Sequence, residues 1–88
     1  MNKVRRNELR KWITEANNLL SQGETLKDQL ENICFEEENY FDNMPENLQG
    51  SMRGMASEEA LDNMNECIEY MDGAIAKIEK AIDCIRSI

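Results

Sequence analysis

The sequence predicts an all-α protein, a coiled-coil-like antiparallel helical hairpin that is expected to dimerise into a four-helix bundle. Three observations predict it. Apolar residues return every three or four positions along two long stretches. A segment interrupted by proline and glycine separates them. The apolar stripes are wider than one partner helix can cover. Its 88 residues form one domain, with a helix over about 3–42, a loop over 43–56 and a helix over about 57–87.

In the first helix the three-four rhythm runs through Leu9, Trp12, Ala16, Leu19, Gly23, Leu26, Leu30 and Ile33, then Glu37 and Tyr40. That timing marks the seam of a helix that packs along its length. Ile13, Leu20, Cys34 and Phe41 widen the stripe on one side. Glycine on the seam costs about 1 kcal/mol relative to alanine, so Gly23 is expected to mark a close helix approach or a local kink. Glu37 is a carboxylate on the apolar face.

The connection from Asp42 to Ala56 contains Pro45, Gly50 and Gly54. Proline cannot continue the first helix and disfavours helical geometry at Met44, so the helix stops near Phe41. Proline is tolerated at the start of a helix, so Pro45 is expected to open one short turn ending by Gly50. Helix connections usually take about 2 to 8 residues, and this one is longer. The sequence places the next N-cap at Ser57, with Glu58 and Glu59 in the first turn where the helix dipole favours negative charge.

The seam of the second helix is unbroken: Leu61, Met64, Ile68, Met71, Ile75, Ile78, Ile82 and Ile85. Ala60, Cys67, Ala74 and Ala81 form a line of small residues on one flank. Isoleucine at both core positions favours assemblies larger than two helices. The expected oligomer core is therefore Trp12, Leu19, Leu26, Leu30, Ile33, Leu61, Ile68, Ile75, Ile78 and Ile82. Met44, Leu48, Met52 and Met55 are expected to plug the open end, while Phe35, Tyr70 and Cys84 fall away from the seam.

Composition argues against catalysis. The chain has no histidine, which removes the commonest general base and the mixed Cys/His metal sites. Cys34, Cys67 and Cys84 are an odd number of cysteines at wide spacing, placed on different helical faces, so neither a disulfide framework nor a metal site is expected. No cofactor is expected. The polar, basic start has no apolar signal-peptide core, and no apolar run approaches the roughly 20 residues needed to cross a bilayer. The expected compartment is the cytoplasm.

Charge separates the ends of the hairpin. Residues 1–11 carry +4 and residues 77–88 carry +1, at the same end, while residues 24–72 carry −12. An acidic exterior keeps an apolar helix soluble, and oppositely charged ends promote antiparallel pairing of hairpins. The same acidic half also imitates the phosphate field of a nucleic acid, a shape suited to the basic groove of a nucleic-acid-binding protein. Direct nucleic-acid binding by the basic tip is opposed by the acidic field beside it.

The string Asp42-Asn43-Met44-Pro45-Glu46-Asn47-Leu48-Gln49-Gly50-Ser51, followed by Arg53-Gly54 and Ser57-Glu58-Glu59-Ala60, resembles a family of small acidic helical-hairpin proteins of prophages and mobile elements in Gram-positive bacteria. The resemblance implies a mobile-element context and a helical hairpin. Small acidic proteins in that setting are often inhibitors of host proteins, including nucleases and defence factors.

The expected function is therefore non-enzymatic: binding to itself, and inhibition or regulation of a host protein through the acidic half and the loop. Candidate contact residues are Asn43, Glu46, Asn47, Gln49, Ser51, Arg53, Glu58, Glu59, Asp62 and Glu66. The loop amides, hydroxyl and guanidinium are able to cap helix ends, or to hold a phosphate or nucleobase. In the latter case an oligomer would act as a sponge for a nucleotide signal, with several Arg53 side chains around one anion. A third expectation is a structural scaffold.

Overall fold

The computed structural model describes residues 1–88 as three helices: α1 (Lys3–Asp42), α2 (Glu46–Gln49) and α3 (Met52–Arg86). There is no strand. Three cross-hairpin contacts show the antiparallel sense: Lys27 pairs with Asp72, Cys34 reaches Asn65 and Glu37 reaches Ser57. The result is a rod of 69 × 15 × 14 Å. No helix is long and apolar enough to cross a membrane.

Side chains close both ends of α1 and of α3, while α2 has no side-chain cap at its N-terminus. Asn2 caps α1, its Oδ1 accepting from the Arg5 N–H at 2.8 Å. At the other end Gln49 Nε2 donates to the carbonyls of Phe41 (3.4 Å) and Met44 (3.1 Å). The Phe41 carbonyl also accepts from the Met44 N–H at 3.0 Å, so Gln49 adds a second bond there and ties in the Met44 carbonyl just past the helix. Pro45 precedes the single expected turn of α2 as its N-cap, its φ of −55° leading the chain into Glu46. Ser51 accepts from the Gly54 N–H at 3.4 Å and donates to the Leu48 carbonyl, joining α2 to α3.

Ser51, not Ser57, is thus the N-cap of α3, and the helix begins at Met52. The expected loop over 43–56 contracts to short links on either side of α2. The extra turn carries its own inward face, because Gly54 and Ser57 continue the three-four spacing that Leu61 begins, and both are buried. A Cβ on Gly54 would lie 2.0 Å from the Gln49 carbonyl oxygen, so α2 rests directly on the α3 backbone there. Ser57 donates to Glu37 Oε1 at 2.7 Å, which answers the carboxylate on the apolar face of α1.

α3 packs through the seam expected of it. α1 is rotated from the expected one. Its inward residues are Leu9, Ile13, Ala16, Leu20, Gly23, Lys27, Leu30, Cys34, Glu37 and Phe41. Trp12, Leu19, Leu26 and Ile33 of the expected core, with Tyr40, stay outside, between 42% (Trp12) and 58% (Leu26) exposed. The stripe on α1 is wide enough for either rotation, and polar contacts decide between them. Turning the helix to bury Trp12 and Leu26 would carry Lys27 away from Asp72 and Cys34 away from Asn65. Gly23 marks no tight approach, since a Cβ there would meet Ile75 Cγ1 at an ordinary 3.7 Å.

A two-helix rod has little interior. Cys34, Met44 and Ile82 are its only buried apolar side chains. Of the residues expected to plug the open end, Met44 does so, whereas Leu48, Met52 and Met55 are 43%, 88% and 60% exposed. The molecule exposes 6876 Å², whereas a compact monomer of 10.2 kDa exposes about 5,300 Å². The excess, about 1,600 Å², lies partly in the row from Trp12 to Tyr40.

Candidate functional site

The two helices present different chemistry on the two flanks of the rod. In an antiparallel pair, the residues flanking the seam of one helix lie beside the equivalent flanking residues of the other. On one flank this places Glu24, Glu31 and Glu38 of α1 beside Glu58, Asn65 and Asp72 of α3. Lys27 stands among them and bridges the helices, bonded to Asp72 and 3.7 Å from Glu31. The hydrogen bond to Asp72 holds the Lys27 pKa above its ordinary value. Cys34 lies beneath the same flank, its Sγ 3.6 Å from Asn65 Oδ1 and 3.9 Å from Glu38 Oε1. Burial, then the Glu38 charge, push its thiol pKa up.

The opposite flank is apolar. Trp12, Leu19, Leu26, Ile33 and Tyr40 recur every seven residues along α1, and Ala60, Cys67, Ala74 and Ala81 do so along α3. Large side chains stand on one helix and small ones on the other. The edge of the α1 row is largely uncharged: Asn18, Gln22, Thr25, Gln29 and Asn32 border it between Leu19 and Ile33.

The loop residues divide by role. Gln49 and Ser51 are helix caps, and Asn43 closes α1, its N–H bonding to the Asn39 carbonyl at 3.0 Å. Glu46 lies in the first turn of α2, and Glu46 and Asn47 are exposed. Arg53 forms no ion pair and shares an open groove of about 400 Å³ with Tyr40, Asn43, Met44, Pro45 and Leu48. Of the acidic candidates on α3, Glu58 belongs to the acidic flank. Glu59, Asp62 and Glu66 point away from α1, and Glu66 accepts from the Tyr70 hydroxyl at 3.2 Å.

Glu24, Glu31, Glu38 and Asp72 belong to the acidic half evident in the sequence but are not among the contact residues expected from it. Their grouping on one flank depends on the rotation of α1. The contact of Lys27 with Asp72 reveals it, and its signal in the sequence is a lysine in line with Leu20, Cys34 and Phe41. The three cysteines stay apart, Cys34 inside the seam and Cys67 and Cys84 exposed on α3. Comparison with protein-family models, curated proteins and solved structures gives no match to this chain.

Proposed function

We propose that this chain is a non-enzymatic interaction protein that acts as a homodimeric four-helix bundle and docks its acidic flank on a basic surface of a second protein. The observation that carries this reading is the opposition of the two flanks: an uncovered apolar row on one side, a wall of carboxylates on the other. An apolar row of this length is a surface for association. Pairing two hairpins through it leaves both carboxylate walls facing outward. Charge laid along a rod suits it to steer toward, and occlude, a groove built for nucleic acid. The resemblance of the loop supports a phage or mobile-element setting, with a host nuclease or defence factor in the cytoplasm as the partner.

The test is capture of partners from the native host at low and high salt, comparing the natural chain with a Glu24→Gln/Glu31→Gln/Glu38→Gln variant. The expected result is a partner that is lost in high salt and lost from the variant, while the variant keeps its oligomeric mass. A partner retained equally by the variant contradicts the acidic flank as the contact.

The unpaired Arg53 beside Tyr40 supports a second reading, a nucleotide ligand held by aromatic stacking and a guanidinium–phosphate bond. Saturable nucleotide binding that Arg53→Ala abolishes would favour it over occlusion.

A further inference from the structure

We infer that the apolar flank is covered by a second copy of this chain lying head to tail, with the two-fold axis passing beside Leu26 of α1 and Ala74 of α3. The inference rests on the dimeric reading above and adds its direction and register.

The spacing of the row is the first support. Trp12, Leu19, Leu26, Ile33 and Tyr40 are symmetric about Leu26, so two antiparallel α1 helices crossed there set Trp12 on Tyr40, Leu19 on Ile33 and Leu26 on itself. The small residues of α3 behave alike. About Ala74, Cys67 meets Ala81 and Ala60 meets Ile88. Both centres lie at one level of the rod, because Glu24, Lys27, Asp72 and Ile75 surround a single hollow between the helices. One axis therefore serves both helices. A hollow lined by Ser21, Gln22 and Thr25 opens beside Leu26, where the partner's Leu26 can seat.

Charge selects the direction. Two face-to-face arrangements cover the flank, one with like ends together and one with the ends exchanged. The first superposes two segments of −12 and two tips of +4. Exchanging the ends sets each basic tip over the partner's acidic half, which is attractive at either end. The large residues of the two α1 helices then interdigitate. The alanines let the α3 helices approach toward the lower end of the roughly 8–10 Å interaxial range.

Area is sufficient. A standard interface removes about 800 Å² from each partner, which the surface excess of this rod can supply. The register also sets Arg5 of one copy level with the α2 turn of the other, so the groove holding Tyr40, Leu48 and Arg53 is completed by the second chain.

Thiol cross-linking tests the register. In a Cys67→Ser/Cys84→Ser background, which leaves the buried Cys34, Ala74→Cys and Leu26→Cys are made separately. Mild oxidation is expected to convert most Ala74→Cys into covalent dimer, since disulfides need Cα atoms within about 7 Å. A short bis-maleimide is expected to do the same for Leu26→Cys. Leu19→Cys and Ile33→Cys should each link poorly alone but at least five-fold better when mixed, which keeps the test open if Leu26→Cys folds poorly. Scattering mass on the same samples separates the two claims. A dimer in which Leu26→Cys links only to Ala74→Cys overturns the head-to-tail register and leaves the dimeric reading standing, whereas a monomer overturns both.

Discussion

The Ser57 hydroxyl donates a 2.7 Å hydrogen bond to Glu37 Oε1 across the hairpin, from the buried face of α3 to the one acidic residue on the inward face of α1. Removing one partner of such a pair costs more than the bond itself contributes, because the other group stays desolvated. Ser57→Ala is therefore expected to destabilise the fold by about 1–3 kcal/mol, measured as a fall in the urea midpoint. Ser57→Ala combined with Glu37→Leu should recover most of that loss. A double variant no more stable than Ser57→Ala would show that the carboxylate is satisfied elsewhere.

Glycine positions are expected to respond with opposite signs. A methyl group at Gly54 runs into the Gln49 backbone at 2.0 Å, and α2 must lift to admit it. Gly54→Ala should cost about 1–3 kcal/mol, the range for overpacking. Gly23→Ala adds a methyl at ordinary contact distance from Ile75, and Gly73→Ala adds one in open space. Each should stabilise the chain by about 0.5–1 kcal/mol through helix propensity. Thermal melting of the three variants checks the signs.

The thiols differ in accessibility and in pH response. Cys84 is exposed and should react at once with an aromatic disulfide reagent, Cys67 should slow as the apolar flank is covered, and Cys34 should react only when the hairpin opens. The raised pKa of Cys34 means that above its ordinary value of about 9 the unfolded chain loses the proton first. Its contribution is thus complete below that pH and declines as pH rises. The urea midpoint of the natural chain should fall more steeply between pH 7 and 10 than that of Cys34→Ala. Parallel slopes would remove Cys34 from the pH response.

Capping is testable at the turn. Ser51→Ala removes the acceptor for the Gly54 N–H and should cost about 0.5–2 kcal/mol, whereas Ser57→Ala leaves this cap intact. Amide exchange checks the difference, with protection falling first over residues 52–55 in Ser51→Ala.

Much of this fold was legible from apolar timing. The α3 seam from Leu61 to Ile85, the stop before Pro45 and the short turn after it all follow from local rules of spacing and backbone geometry. The start of α3 differs from the expected one because Ser57-Glu58-Glu59 has the composition of an N-terminus, and Gly54 looks like a break. The competing signal was that Gly54, Ser57 and Leu61 keep the rhythm in small residues. The rotation of α1 was not legible, since Trp12 and Ile13, Leu19 and Leu20, and Ile33 and Cys34 offer adjacent apolar lines of similar strength. Contacts from α3 to Lys27, Cys34 and Glu37 choose between them, and with that choice the acidic and apolar flanks are defined.

On the dimeric reading, a second chain covers the row from Trp12 to Tyr40. Light scattering on the eluting protein, for the natural chain and for Leu26→Glu, measures this most directly. The prediction is twice the 10.2 kDa chain mass for the natural protein and a shift of Leu26→Glu toward the monomer with its helix content retained. A natural chain that elutes as a well-folded monomer across micromolar concentrations, indistinguishable from Leu26→Glu, would contradict it.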